Sequence, residues 1–270
     1  MTALRKIAVF FRRDLAIARS YRTAFVLELF EALFGVAAFY YLSRFVQSPE
    51  LVRALPQGGS YFAFALVGFA FFDYMSVALD TFDRSIQEAR QNGTLETLLI
   101  SQTSLPVILV GSAVYPFALK AVRTAVYLAW GVLLFGFPAR SANWLGAVLV
   151  LVASILAFAG LGILSASYLL LFKRGNPAKW ALLGVSIVVG GIMYPVSVLP
   201  AALQRVARLV PVTYSLEGMR AALLGGASLE GLWPSLRALL IFAAILLPSS
   251  FVVFSWALRR TKITGTLTHL

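Results

Sequence analysis

The sequence holds no cysteine, one histidine and only 13% charged residues. Without cysteine there is no disulfide, no thiolate metal site and no cysteine nucleophile. The single histidine, His269, is penultimate, where a frayed end does not hold the partners that a metal centre or histidine-based triad needs. The dipeptide Gly-Lys occurs nowhere, which removes the P-loop and its phosphate cradle. Soluble domains carry about a quarter charged residues, so the low charge excludes an ordinary water-soluble globule. No catalytic residue, metal or cofactor is expected in this chain. Acid pairs inside a membrane serve some proteases and transferases, but no recognisable motif frames the acids found here.

What the chain has instead is apolar length. It is 60% hydrophobic with a mean hydropathy of +0.85. Apolar stretches of ~20 residues recur, enough to cross a hydrocarbon core of ~30 Å. These patterns predict an all-α, polytopic membrane protein forming a single domain over residues 1–270. Six spans are expected, at about 24–45, 61–79, 105–137, 144–172, 180–198 and 236–258. An even number puts both basic termini on one side, the cytoplasmic side of the cell inner (plasma) membrane. The N-terminus has no cleavage-like pattern after a short core and does not read as a signal peptide.

A net charge of +12 would suit nucleic acid, but its distribution suits a membrane. Fourteen of the 23 Lys and Arg fall before the first span, in residues 84–90, in residues 173–179 and in the tail. All four segments lie on one assigned side. That is the positive-inside bias, with attraction to anionic headgroups. Membrane lipids are expected partners; nucleic acid is not.

Residues 3–19 place Leu4, Ile7, Ala8, Phe11, Leu15 and Ala18 at helical spacing. Arg5, Arg12 and Arg19 recur on another face, with Arg13 beside them. The pattern predicts a basic amphipathic helix in the inner interface, with a helix packed on protein as the alternative. Residues 199–235 hold two short amphipathic patterns, 201–209 and 215–224, separated by Pro211. Neither is long enough to span, and Arg205, Arg208 and Arg220 would break the charge bias on the outer side. A pair of re-entrant helices reconciles length with topology. The competing topology puts this segment inside and leaves the fifth stretch a half-span.

Charges also sit within the spans. Glu28 and Glu31 are a turn apart in the first, Lys120 and Arg123 in the third. Lys120 lies about 16 residues, or ~24 Å, below Gly136, and Glu28 lies at a similar depth. Such groups either pair or line an inner vestibule; separate snorkelling is the alternative. Asp73, in "FAFFDYM", either sits in an aromatic constriction or makes ordinary span-to-span contact.

The polar interruption "QEARQNGTLETLLIS" has its own logic. Gly93 frees the backbone to turn. Thr94 caps the following helix, and Glu96 sits where the helix dipole favours an acid. Leu95, Leu98 and Leu99 form an apolar edge suited to a protein groove or to lipid.

With its neighbours, this stretch reads "EARQNGTLETLLISQTSLP". Together with "GIMYPVSVLPAALQRVARLVPVTYSLEGMRAALLGG" it resembles the ABC-2-type exporter permeases, membrane subunits of one class of ATP-driven exporter. The first block matches Glu-x-x-x-x-Gly-Thr-Leu-Glu-x-Leu-Leu; the second carries Tyr-Pro, Leu-Pro, Pro-x-Thr-Tyr and Glu-Gly-x-Arg. The likeness covers essentially the whole chain. It departs from the family where "QTSL" separates Ser101 from Pro106.

The resemblance implies a two-fold dimer of permeases on two copies of a separate nucleotide-binding ATPase subunit. ATP and Mg belong to that subunit, so this chain is not itself an enzyme. A coupling helix within 84–103 would use Glu88, Gly93, Thr94, Leu95 and Glu96, supported by the N-terminal helix. An outer gate would use Pro195, Pro200, Pro211, Tyr214, Glu217 and Arg220. Short external loops and an interior with 21 Phe, 10 Tyr and 5 Trp favour a hydrophobic or amphipathic cargo: a drug, a lipid or a lipid-linked glycan. The alternative is a stand-alone ion-coupled transporter or channel, for which paired broken spans in two related halves are expected; no internal repeat is seen.

Overall fold

A computed structural model describes residues 3–20, 22–46, 55, 60–91, 105–172 and 176–263. Among these the protein is all-α, with no strand. The helices are α1 (Ala3–Ser20), α2 (Arg22–Phe45), α3 (Tyr61–Gln91), α4 (Leu105–Phe135), α5 (Trp144–Phe172), α6 (Pro177–Val189), α7 (Ala201–Ala207), α8 (Pro211–Leu223) and α9 (Leu229–Ile263). Among the described residues, α3, α4, α5 and α9 are long and apolar enough to cross a membrane. At 24 residues, α2 follows the predicted first span.

The end of the bundle that carries α1 is called proximal here, and the opposite end distal. The α3 helix runs past its predicted span at the proximal side, α4 keeps the predicted start and ends at Phe135, and α9 is extended at both ends. The fifth stretch differs most. Its helix ends at Val189, is capped by Gly190, and is 13 residues long rather than the 19 of 180–198. Gly191 adopts φ 81°, a left-handed conformation that suits glycine. A 3-10 turn at Val196–Val198 follows, so apolar character outlasts the helix. The two short patterns beyond it are α7 and α8. Pro200 precedes the first, and Pro211 takes the opening helical position of the second, where its missing N–H costs nothing.

Within an apolar solvent, helices associate by close packing rather than by escape from water, and small residues permit it. The α5 helix does this on two sides. A Cβ at Gly160 would lie 2.6 Å from Leu246 Cβ on α9; one at Gly162 would lie 2.3 Å from the Ala78 carbonyl oxygen on α3. Helix α5 is therefore clasped between α9 and α3, with Phe158, Ala157 and Ala166 fully buried. At the proximal end, α1 lays Phe10 against Gly111 of α4 and sets Phe11 edge-on to Tyr115, ring centroids 5.9 Å apart. Its apolar edge thus covers α4 of the same chain. Arg5, Arg12 and Arg13 stay exposed.

Candidate functional site

Helices α1 to α4 enclose a cleft of about 620 Å³ at the proximal end. Arg13 and Asp14 line it from α1 and Glu28 from α2. Asp80, Arg84 and Glu88 come from α3, and Tyr115, Lys120 and Arg123 from α4. Helical periodicity puts Lys120 and Arg123 on one face of α4, and the packing turns that face toward both α2 and α3. Arg123 meets Glu31, Nη2 to Oε1, at 2.8 Å. It also donates to the Tyr127 hydroxyl at 3.0 Å. Lys120 Nζ lies 2.6 Å from Asp73 Oδ2, and Arg123 Nε lies 3.8 Å from the same oxygen. The expected pairing between the first and third spans therefore holds for Glu31 with Arg123. Lys120 turns instead to Asp73, and Glu28 lines the cleft. Asp73 makes a span-to-span contact of charge on charge rather than an aromatic constriction. The rings instead pair alongside, Tyr74 with Phe117 and Phe69 with Tyr127.

Residues Gly93, Thr94, Leu95 and Glu96 lie outside the described residues. Glu88, the first of the coupling positions, is exposed on the last turns of α3 at the mouth of the cleft.

At the distal end three of the gate landmarks, Pro195, Glu217 and Arg220, line one cavity. Arg220 of α8 is 4% exposed. It has no carboxylate bridge among the described residues and is satisfied by backbone. Nη1 donates to the Gly191 carbonyl at 2.7 Å, and Nη2 to Ile192 at 2.9 Å and Phe64 at 3.0 Å. Its guanidinium also stacks over the Phe64 ring, 3.4 Å from the centroid. Neutral carbonyl dipoles facing a planar fork of five donors offset much of the cost of burying that charge. Gly68 makes this possible: a Cβ there would sit 2.1 Å from the Ile192 oxygen and 2.6 Å from Arg220 Nη2. Pro195 and Glu217 line a cavity of about 350 Å³ beside it, and the Tyr214 hydroxyl donates to the Arg208 carbonyl at 3.1 Å.

Residues 4–224 match the family model described as ABC-2 type transporter, a span that takes in both the cleft and Arg220. The chain belongs to the ABC-2 type transporter family. Relatives include the "Probable multidrug ABC transporter permease YbhR" of Escherichia coli strain K12 and its namesake in Escherichia coli O157:H7. Each is 24% identical over 170 residues, which cover 63% of this chain and 46% of the relative. The chain spans about half the length of the curated relatives it matches. As an ABC-2 transporter permease it is a multi-pass membrane protein.

The sequence reading of this ABC-2 transporter missed a second polar cluster, proximal and behind the cleft. Asp83 of α3 is buried and accepts from Asn176 Nδ2 at 2.9 Å and from the Ser165 hydroxyl at 3.3 Å. Asn176 also donates to the Ser165 carbonyl at 3.0 Å, while its own carbonyl accepts the Lys179 N–H at 3.0 Å and so caps α6. One turn back, Asp80 bridges to Lys179. The local signal was present in "GNPAKW": Asn followed by Pro is a cap followed by the first helical position. The tie across to Asp83 had no such local signal.

Proposed function

We propose that this ABC-2 transporter chain is the membrane subunit of an ATP-driven exporter, two copies working on two copies of a separate ATPase subunit. One observation carries the reading. Within the family-matched region, a single bundle holds an open, charged cleft at one end and a buried lock, Arg220, at the other. Alternating access needs those two ends to open in turn. In this reading the proximal end is cytoplasmic and α2, α3, α4, α5 and α9 cross the membrane. The fifth crossing combines α6, too short at about 20 Å to cross alone, with the segment leading into α7 and α8, which serve as a re-entrant outer gate.

The coupling element follows α3, with Glu88, Gly93, Thr94, Leu95 and Glu96 at the ATPase, and α1 braces it against α4. ATP and Mg bind the partner subunit. Cargo enters at the cleft, where Glu28, Glu31, Asp73, Lys120 and Arg123 meet its polar part. A hydrophobic or amphipathic cargo suits the aromatic-rich interior beyond the cleft, and the word multidrug in the relatives' name points the same way.

Affinity purification in mild detergent tests the assembly. A P-loop ATPase is expected to co-purify, and Gly93→Pro with Glu96→Lys is expected to release it. If no ATPase associates and transport survives both substitutions, a stand-alone ion-coupled transporter or channel becomes the better reading.

A further inference from the structure

Helix α6 packs thinly. Of its 13 residues only Leu183, Ser186 and Val189 are buried, and Trp180 is 70% exposed. Its two ends, in contrast, are fastened, and both fastenings lead to α3. Proximally, Asp80 meets Lys179 and Asp83 meets Asn176, with Ser165 of α5 closing the knot. Distally, Arg220 clips the Gly191 and Ile192 carbonyls beyond the end of α6 to the Phe64 carbonyl of α3. About 20 Å of helix separates the two fastenings.

We propose that α6 is a strut pinned at both ends to α3, and that Asn176 is the positioning residue through which a shift of the proximal end of α3 reaches the distal lock and α7–α8. A helix held by little side-chain burial moves with whatever holds its ends, because its own hydrogen bonds keep its length fixed. Arg220, on α8, donates both to α3 and to the carbonyls just beyond the distal end of the strut. A displacement of α6 relative to α3 therefore strains the carbonyls that hold this guanidinium. The strut gives Asn176 a transport role at a distance from cargo. The link to nucleotide rests on the exporter reading; the mechanical link does not.

The test has two readouts on the full chain in nanodiscs. Amide hydrogen exchange at residues 190–199 reads the strut without any ATPase. Asn176→Ala is expected to speed it at least about fivefold through local opening at the far end. Unchanged exchange in Asn176→Ala overturns the strut. Should Asn176→Ala yield no folded protein, Lys179→Gln leaves the cap intact. It is expected to speed exchange about twofold, and no change again overturns the proposal.

The second readout uses the native lack of cysteine. Ser197→Cys, at an exposed position lining the distal cavity, reports gate exposure to an impermeant maleimide in the ATPase complex. Its nucleotide-dependent change is expected to vanish in Asn176→Ala while ATP hydrolysis persists. If hydrogen exchange responds as stated but the otherwise unmodified complex shows no nucleotide effect at Ser197→Cys, the strut stands and the exporter reading falls.

Discussion

Replacing Arg220 by methionine removes the distal lock while keeping an unbranched side chain of similar reach. The guanidinium serves three carbonyls. Phe64 lies within α3, so its oxygen keeps a helical partner. Gly191 and Ile192 lie past the end of α6, so their buried oxygens lose the donor that holds them. Stranding a buried carbonyl costs about 1–3 kcal/mol, which sets a gross loss of about 2–6 kcal/mol. Methionine also relieves the cost of burying a cation, so the net loss falls in the lower half of that range. For a chain of this size it translates to a melting point lower by about 10 °C. Lysine fares little better, because one ammonium does not span acceptors arranged for a planar fork. Thermal unfolding in nanodiscs, followed by the fluorescence of the five tryptophans, measures the shift. A melting point within about 2 °C of the unmodified protein, with hydrogen exchange at 190–193 unaltered, would refute the assignment of Arg220 as a lock.

The same reasoning fixes further outcomes. Gly68→Ala forces a methyl to 2.1 Å from the Ile192 oxygen and is expected to cost about 1–3 kcal/mol, read as a lowered melting point; a neutral result would show that the loop yields without cost. Gly184 has nothing within 4 Å of a would-be Cβ, so Gly184→Ala should stabilise α6 by up to about 1 kcal/mol through helix propensity, and a loss on melting would contradict that open space. Double-mutant cycles should separate the two ion pairs. Asp73–Lys120 is largely enclosed, with side chains 24% and 11% exposed, and should show coupling near 1–3 kcal/mol. The Glu31 side chain is 67% exposed, so Glu31–Arg123 should couple by about 1 kcal/mol or less and weaken in salt. Equal couplings would mean that exposure does not rank the pairs.

Much of this protein was legible as one-dimensional pattern. Apolar run lengths located the long helices, because a hydrocarbon core imposes a length on every crossing. Pro200 and Pro211 punctuated the short helices, because proline is favoured at a helix start, where its missing N–H costs nothing. The overshoot in the fifth stretch has the same origin. Apolar residues continue through Gly190, Gly191, Ile192 and Met193, and run length does not register a backbone that turns to φ 81° at Gly191.

Pairing was legible only in part. Depth along a helix follows from counting residues, so Glu28 and Lys120 were placed level, which puts Glu31 and Arg123, each three residues on, level as well. Azimuth does not follow from counting. It depends on how α2, α3 and α4 rotate and cross, and that rotation gave Lys120 to Asp73. Arg220 is the clearest case. By sequence it was an arginine on the wrong side of a charge rule and the last residue of the Glu-Gly-x-Arg landmark. Only the fold brings Phe64, Gly191 and Ile192 around it from two segments distant in sequence. Burial within a membrane helix is a local property of composition, and the sequence carries it. Satisfaction of a buried charge is a property of neighbours distant along the chain, and only their packing supplies it.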